Sequence, residues 1–94
     1  MPVLFIVQEE IHDADAMGPY AAAAALAPNG GRLVAVDDAP LVVEGDWHGS
    51  RTVILEFEDE SAFRAWYDSP EYQAAVKIRL DATDSRSALI HTRS

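Results

Sequence analysis

Between Thr52 and Gln73 the spacing of apolar residues changes from two to nearly four, stops, and starts again. Thr52 to Phe57 is β-branched and aromatic, which suits a strand. Successive side chains of a strand face opposite ways, so Val53, Leu55 and Phe57 share one side and Thr52, Ile54 and Glu56 the other. Asp59 then has the chemistry of an N-cap, since its carboxylate accepts from the free amides of the next turn. Glu60 adds negative charge where the helix dipole favours it. Ala62, Phe63, Trp66 and Tyr67 recur at helical spacing. Asp68-Ser69-Pro70 interrupts that helix, because the residue before a proline avoids the α region and a proline opening a new helix loses no hydrogen bond. Ser69 would cap the second segment, which carries Tyr72, Val76, Ile78, Arg79 and Leu80 and is expected to end near Asp84. A last strand is expected over Ser87 to Thr92.

The first half reads in the same terms. Val3 to Val7 is an unbroken apolar run, the mark of a strand covered on both faces, with Gln8-Glu9-Glu10 leading out of it. Asp13 or Asp15 can cap a first helix. Gly18 and Pro19 weaken it, so a kink or a late start is expected there. Ala21 to Ala25 favours helix, and Pro28-Asn29-Gly30-Gly31 ends it with turn chemistry. Arg32 to Val36 is the second strand. Leu41-Val42-Val43 is expected as a short strand or a bulged arm, and a loop from Glu44 to Ser50 leads to Arg51. The order is β-α-β-β-α-β over a single domain of residues 1–94. It predicts an α+β, ferredoxin-like antiparallel sheet with two helices on one face.

Two helices cover only one side of four strands, yet Leu4, Ile6 and Ile54 are apolar on the other side. An apolar sheet face of that size is more than a monomer usually shows to water. Burying several hundred Å2 is worth about 25 cal/mol per Å2 before the costs of association. The expected partner is therefore a second copy, joined through the sheet face not covered by helices, with two-fold symmetry as the usual form.

Composition narrows the functional classes. The chain has 94 residues and a net charge of −9, from 16 acidic and 7 basic side chains. Nucleic acid and anionic membrane both need a basic footprint, so neither is an expected partner. No apolar run approaches the roughly 20 residues of a membrane span. The opening Met-Pro-Val-Leu-Phe lacks a basic leader, and cysteine is absent. The expected location is cytoplasmic, with no disulfide or thiolate chemistry.

Several strings resemble a known family: Gly30-Gly31-Arg32, Glu44-Gly45-Asp46-Trp47, Arg51, Leu55-Glu56-Phe57, Ala65 through Gln73 with its Trp-Tyr-Asp-Ser-Pro-Glu-Tyr core, and Arg79. Together they resemble the family labelled domain of unknown function 1330, in the dimeric α+β barrel superfamily. The resemblance covers nearly the whole chain. It implies the fold and a dimer. Superfamily members include cofactor-free monooxygenases, haem-degrading enzymes, dehydratases, isomerases and ligand-sensing domains, so it leaves the chemistry open. Where this family often has a basic-glycine turn after the second strand, this chain has Val36-Asp37-Asp38.

Candidate chemistry follows from residue type and position. Glu56, on a central strand, is a candidate base if buried at an interface; as a structural group it would pair with Arg32, Arg51 or Arg79. His48 titrates near neutrality and is a candidate proton shuttle, or a solvated loop residue. Trp47 would cover a pocket or anchor an interface. Trp66, Tyr67 and Tyr72 would wall an aromatic pocket or fill the core, and Tyr20 has the same two readings. Arg32, Arg51 and Arg79 are candidate clamps for a substrate carboxylate, or partners of the many acidic residues. The three histidines fall in three different elements without ligand spacing, so no metal and no cofactor is expected. Nucleophile, phosphate-loop and dinucleotide motifs are absent. Two functions remain: a cofactor-free enzyme moving a proton on a small organic acid or aromatic compound, and a non-catalytic ligand-binding or interaction module.

Overall fold

The computed structural model describes residues 1–23 and 31–93. Its elements are β1 (Val3–Ile11), α1 (Ala14–Ala23), β2 (Arg32–Asp37), β3 (Arg51–Phe57), α2 (Glu60–Tyr67), α3 (Pro70–Ala82) and β4 (Thr83–His91). The four strands form one antiparallel sheet in the order β2-β3-β1-β4. This is the ferredoxin-like arrangement. The two central strands are those with the most apolar sequence, as burial on one face and half-burial on the other require.

Register decides which residues meet the helices. Val3, Phe5 and Val7 of β1 lie opposite Phe57, Leu55 and Val53 of β3. On that side they form the core with Phe63, Trp66, Tyr72, Ala75 and Val76 from α2 and α3. Phe5 and Phe57 each pack on Phe63 and Trp66, with centroid separations between 4.9 and 6.3 Å. Leu4 and Ile6, with Ile54 of β3, face the other way and are only half-buried. The run Val3 to Val7 is thus covered fully on one face and partly on the other within one chain.

Local chemistry sets the helix ends. The Asp59 carboxylate accepts from the Ala62 amide at 2.8 Å. The Ser69 hydroxyl accepts from Tyr72 at 3.1 Å and donates to the Trp66 carbonyl at 2.7 Å, so one side chain closes α2 and opens α3. Asp13 caps α1 through the Ala16 amide. The break at Pro70 falls where the sequence places it.

Four expectations need correction. First, α1 starts at Ala14 and continues through Pro19 instead of starting late. The His12 and Asp13 amides both donate to the Ala82 carbonyl, which ties the start of α1 to the end of α3. Second, β1 continues to Ile11, past the Gln8-Glu9-Glu10 exit. Third, as a direct consequence, β4 begins at Thr83 instead of Ser87, and α3 ends at Ala82, two residues short of Asp84. The pairs Gln8 with Arg86 through Ile11 with Thr83 impose strand on a polar stretch of low strand propensity. Fourth, of the two expectations for Leu41 to Val43 the strand falls and the arm remains: residues 38–50 run irregularly, with Leu41 88% and Val43 85% exposed. The helix end expected at Pro28-Asn29-Gly30 lies outside the described residues.

Candidate functional site

The expected site residues fall into two groups on opposite sides of the sheet. On the side without helices, Arg32 and Glu56 are paired in register, and their side chains form an ion pair at 3.2 Å. Of the two readings of Glu56, this geometry is the structural pair. Trp47 lies against the same side, and its indole donates to the Thr52 hydroxyl at 2.8 Å. Beside it runs a shallow groove of about 270 Å3 over Ile6, Ala88 and Ile90. His48, at the end of the sheet, places Nε2 2.8 Å from the Asp84 carbonyl, so the ring fastens the arm to β4.

The second group is interior. Trp66 is fully buried, and Tyr67 stacks on Phe63 at 5.4 Å; both belong to the aromatic core. Trp66 and Tyr72 have ring centroids 3.9 Å apart. From there the interior turns polar. The Tyr72 hydroxyl is 2.7 Å from that of Tyr20 on α1. The Arg79 guanidinium carbon stands 5.9 Å from the centre of the Tyr20 ring, a cation–π approach. Arg79 is 2% exposed, and its Nε and Nη1 have no hydrogen-bond partner. Arg51 lies at the strand position opposite Glu9 and pairs with Asp38 of the arm.

Glu9 is the residue that the sequence reading passed over. It is 3% exposed, and its Oε2 has no partner. The available signal was parity: Val3, Phe5, Val7 and Glu9 occupy alternate positions of one strand, so extending β1 carries Glu9 under the helices. Gly49 holds it there. That residue has φ of +76 and no room for a Cβ against the Glu9 carbonyl. The neighbouring Ser50 amide donates to the Glu9 carbonyl at 3.1 Å.

Electrostatics differ among these groups. Burial pushes the Glu9 carboxyl above the usual glutamate range; Arg79 and then Arg51 pull it back, and Asp38 pushes it up again. Burial also drives the Tyr72 hydroxyl upward, with Tyr20 adding to it, so Tyr72 stays protonated. Burial works against the charge on Arg79, but Tyr72, Tyr20 and Glu9 more than offset it and hold the guanidinium cationic. An enclosed cation, an uphill carboxyl and two hydroxyls can hold a small anion and accept or release one proton. Among the described residues, no three histidine, aspartate or glutamate side chains converge as a metal site would need. Among them too, no helix is long and apolar enough to cross a membrane.

Fold and site together define a ferredoxin-like α+β domain with a polar cluster enclosed between sheet and helices. The chain belongs to the family described as domain of unknown function (DUF1330), whose model matches residues 2–92. The olefin beta-lactone synthetase of Stenotrophomonas maltophilia is 32% identical over 72 residues, which is 70% of this chain but 12% of that enzyme. The chain therefore spans about an eighth of that relative's length. Among solved structures, the RPA0582 protein of unknown function from Rhodopseudomonas palustris superposes with a TM-score of 0.80 at 23% identity, over 99% of this chain and 83% of that one. SnoaB, a cofactor-independent oxygenase from Streptomyces nogalater, gives 0.66 at 22% identity, over 99% and 94%. A dimeric ferredoxin-like protein of unknown function from Bacteroides fragilis gives 0.65 at 19% identity, over 97% and 96%. These likenesses establish the fold.

Proposed function

We propose that the chain is a homodimeric small-molecule-binding protein that acts, without a cofactor, on a small organic acid or aromatic compound by proton transfer. The observation that carries this reading is Arg79: a buried guanidinium with two nitrogens unpartnered. A buried donor left without an acceptor costs about 1–3 kcal/mol, more when it is charged. A ligand oxygen that accepts from these nitrogens recovers that energy. Tyr72 and Tyr20 add two hydroxyls to the cluster, and Trp66 and Tyr72 supply aromatic walls. The relation to a cofactor-independent oxygenase fits a site whose own side chains do the chemistry.

The dimer joins through the sheet face that the helices leave uncovered. Leu4, Ile6, Ile54 and Ile90 offer apolar surface there, and the arm extends Leu41 and Val43 beyond it. A similarly folded neighbour being dimeric supports the assembly. On this reading Glu56 and Arg32 lie at the interface as a pair, and Trp47 is an anchor.

A second reading has one observation in its favour. The chain matches a small part of a much larger enzyme, as an accessory module would. In that case the same interior site holds a ligand without turnover. Thermal-shift screening against small acids and aromatic compounds tests binding: a ligand at 100 times its Kd adds about 2.7 kcal/mol. Exchange of ligand C–H protons in heavy water, followed by NMR, separates the enzyme from the module. A screen without stabilisation by any compound refutes both. Sedimentation as a 10.3 kDa particle refutes the dimer.

A further inference from the structure

Glu9 and Arg79 are oppositely charged types in one apolar interior, yet among the described residues no ion pair joins them. Each instead leaves polar atoms unused. Arg79 on α3, Arg51 on β3 and Asp38 on the arm are the charged groups acting on Glu9. From α1, Tyr20 reaches the cluster through Tyr72. From β4, Ser85 lies opposite Glu9 and Thr83 opposite Ile11, uncharged hydroxyls bonded to each other. Arg51 already has Asp38 as its counter-charge, so Arg79 is the cation left for a ligand.

We propose that Glu9 and Arg79 form a proton-linked site for a small organic monocarboxylate, in which the guanidinium takes the anion and Glu9 stands beside it as a neutral carboxyl. The inference rests on the ligand-binding reading above and adds the ligand's class and a role for Glu9. Two carboxylates cannot both be ionised in one buried site without strong repulsion. A bound carboxylate therefore requires Glu9 to hold a proton, taken from solvent, which it donates in a hydrogen bond through the oxygen now unpartnered. The charges then close at one cation and one anion. A neutral amide would leave Arg79 uncompensated, and a dianion would add a second negative charge. Burial already favours the protonated form of Glu9.

The test uses benzoate and butyrate, with benzamide and butyramide as neutral counterparts, titrated calorimetrically into the wild-type protein from about pH 5 to about pH 8, a span that begins above the ordinary glutamate range. Expected are binding of the acids and not the amides, and an affinity that falls about tenfold per pH unit once free Glu9 ionises. In that range one proton is taken up per ligand, read by comparing buffers of unlike ionisation heat. Glu9→Gln abolishes the slope and the proton uptake while the acids still bind; Arg79→Met loses binding. The wild-type proton count needs no variant, so a variant that fails to fold leaves the test decisive. Acids that bind with a flat pH profile and no proton uptake overturn the role of Glu9 but leave the ligand-binding reading standing. Amides binding as well as acids, or only non-acidic compounds binding in the wider screen, overturn the anionic class. No binding of these probes or of any screened compound overturns this inference and that reading together.

Discussion

Replacing Gly49 by alanine probes how tightly the arm is closed over the polar interior. Gly49 has φ of +76, and a methyl group there would overlap the Glu9 carbonyl and stand 2.7 Å from the Glu10 amide nitrogen. Both obstacles are backbone, so neither can rotate away. A left-handed conformation costs an L-residue about 1–2 kcal/mol. Overpacking against a fixed neighbour adds about 1–3 kcal/mol. The sum, about 2–5 kcal/mol, is a large share of the stability of a small domain. Gly45 provides an internal control, since its φ is +69 but a methyl group there meets nothing within 4 Å. Gly45→Ala should therefore show the conformational part alone, about 1–2 kcal/mol. Urea unfolding of both variants at one fixed protein concentration reads the difference, with an unchanged m-value confirming that midpoints can be compared. Equal losses in the two variants would refute the close approach of the arm to β1, and with it the account of how Glu9 is held.

Three further outcomes are expected. Because the folded pKa of Glu9 lies above its ordinary value of 4.5, its contribution is fully present below that value and is lost as pH rises through the folded pKa. Glu9→Gln should accordingly gain on the wild type as pH rises through the folded pKa of Glu9; an unfolding difference independent of pH would contradict this. Ile54→Arg places a charge on the uncovered sheet face and should reduce the sedimenting mass to that of one 10.3 kDa chain, whereas an intact dimer would remove that face as the interface. Ser69→Ala deletes the cap of α3 and should cost about 1 kcal/mol in urea unfolding; a variant as stable as the wild type would mean that the cap does not close the break between α2 and α3.

Local chemistry made much of the fold legible. The Asp59 and Ser69 caps and the proline at the start of α3 are short-range signals, and their residues sit where such signals put them. The central strand is equally plain, because alternation between Val53, Leu55, Phe57 and Ile54, Glu56 needs no partner to be recognised. What stayed hidden depends on pairing. Thr83 to Arg86 has little strand propensity, and only β1 makes it a strand. The same extension of β1 decides that Glu9 is enclosed and not an exit from the strand. Arg79 and Tyr72 were visible as candidates, but their neighbours Tyr20 and Glu9 come from elements more than fifty residues earlier in the chain. No local spacing encodes that meeting. The arm is the opposite case: Leu41-Val42-Val43 has strand propensity and no strand to pair with, so propensity alone misleads.

One strand borders both halves of this molecule. Along β1, Glu9 looks toward the helices, while Gln8 and Glu10 look outward, and the peptide planes between them are shared. A substitution scan along β1 should therefore sort by odd and even position, one set governing what the interior holds and the other governing how the outer surface is met. The two sets share one backbone, so a variant that breaks the strand itself should disturb both at once.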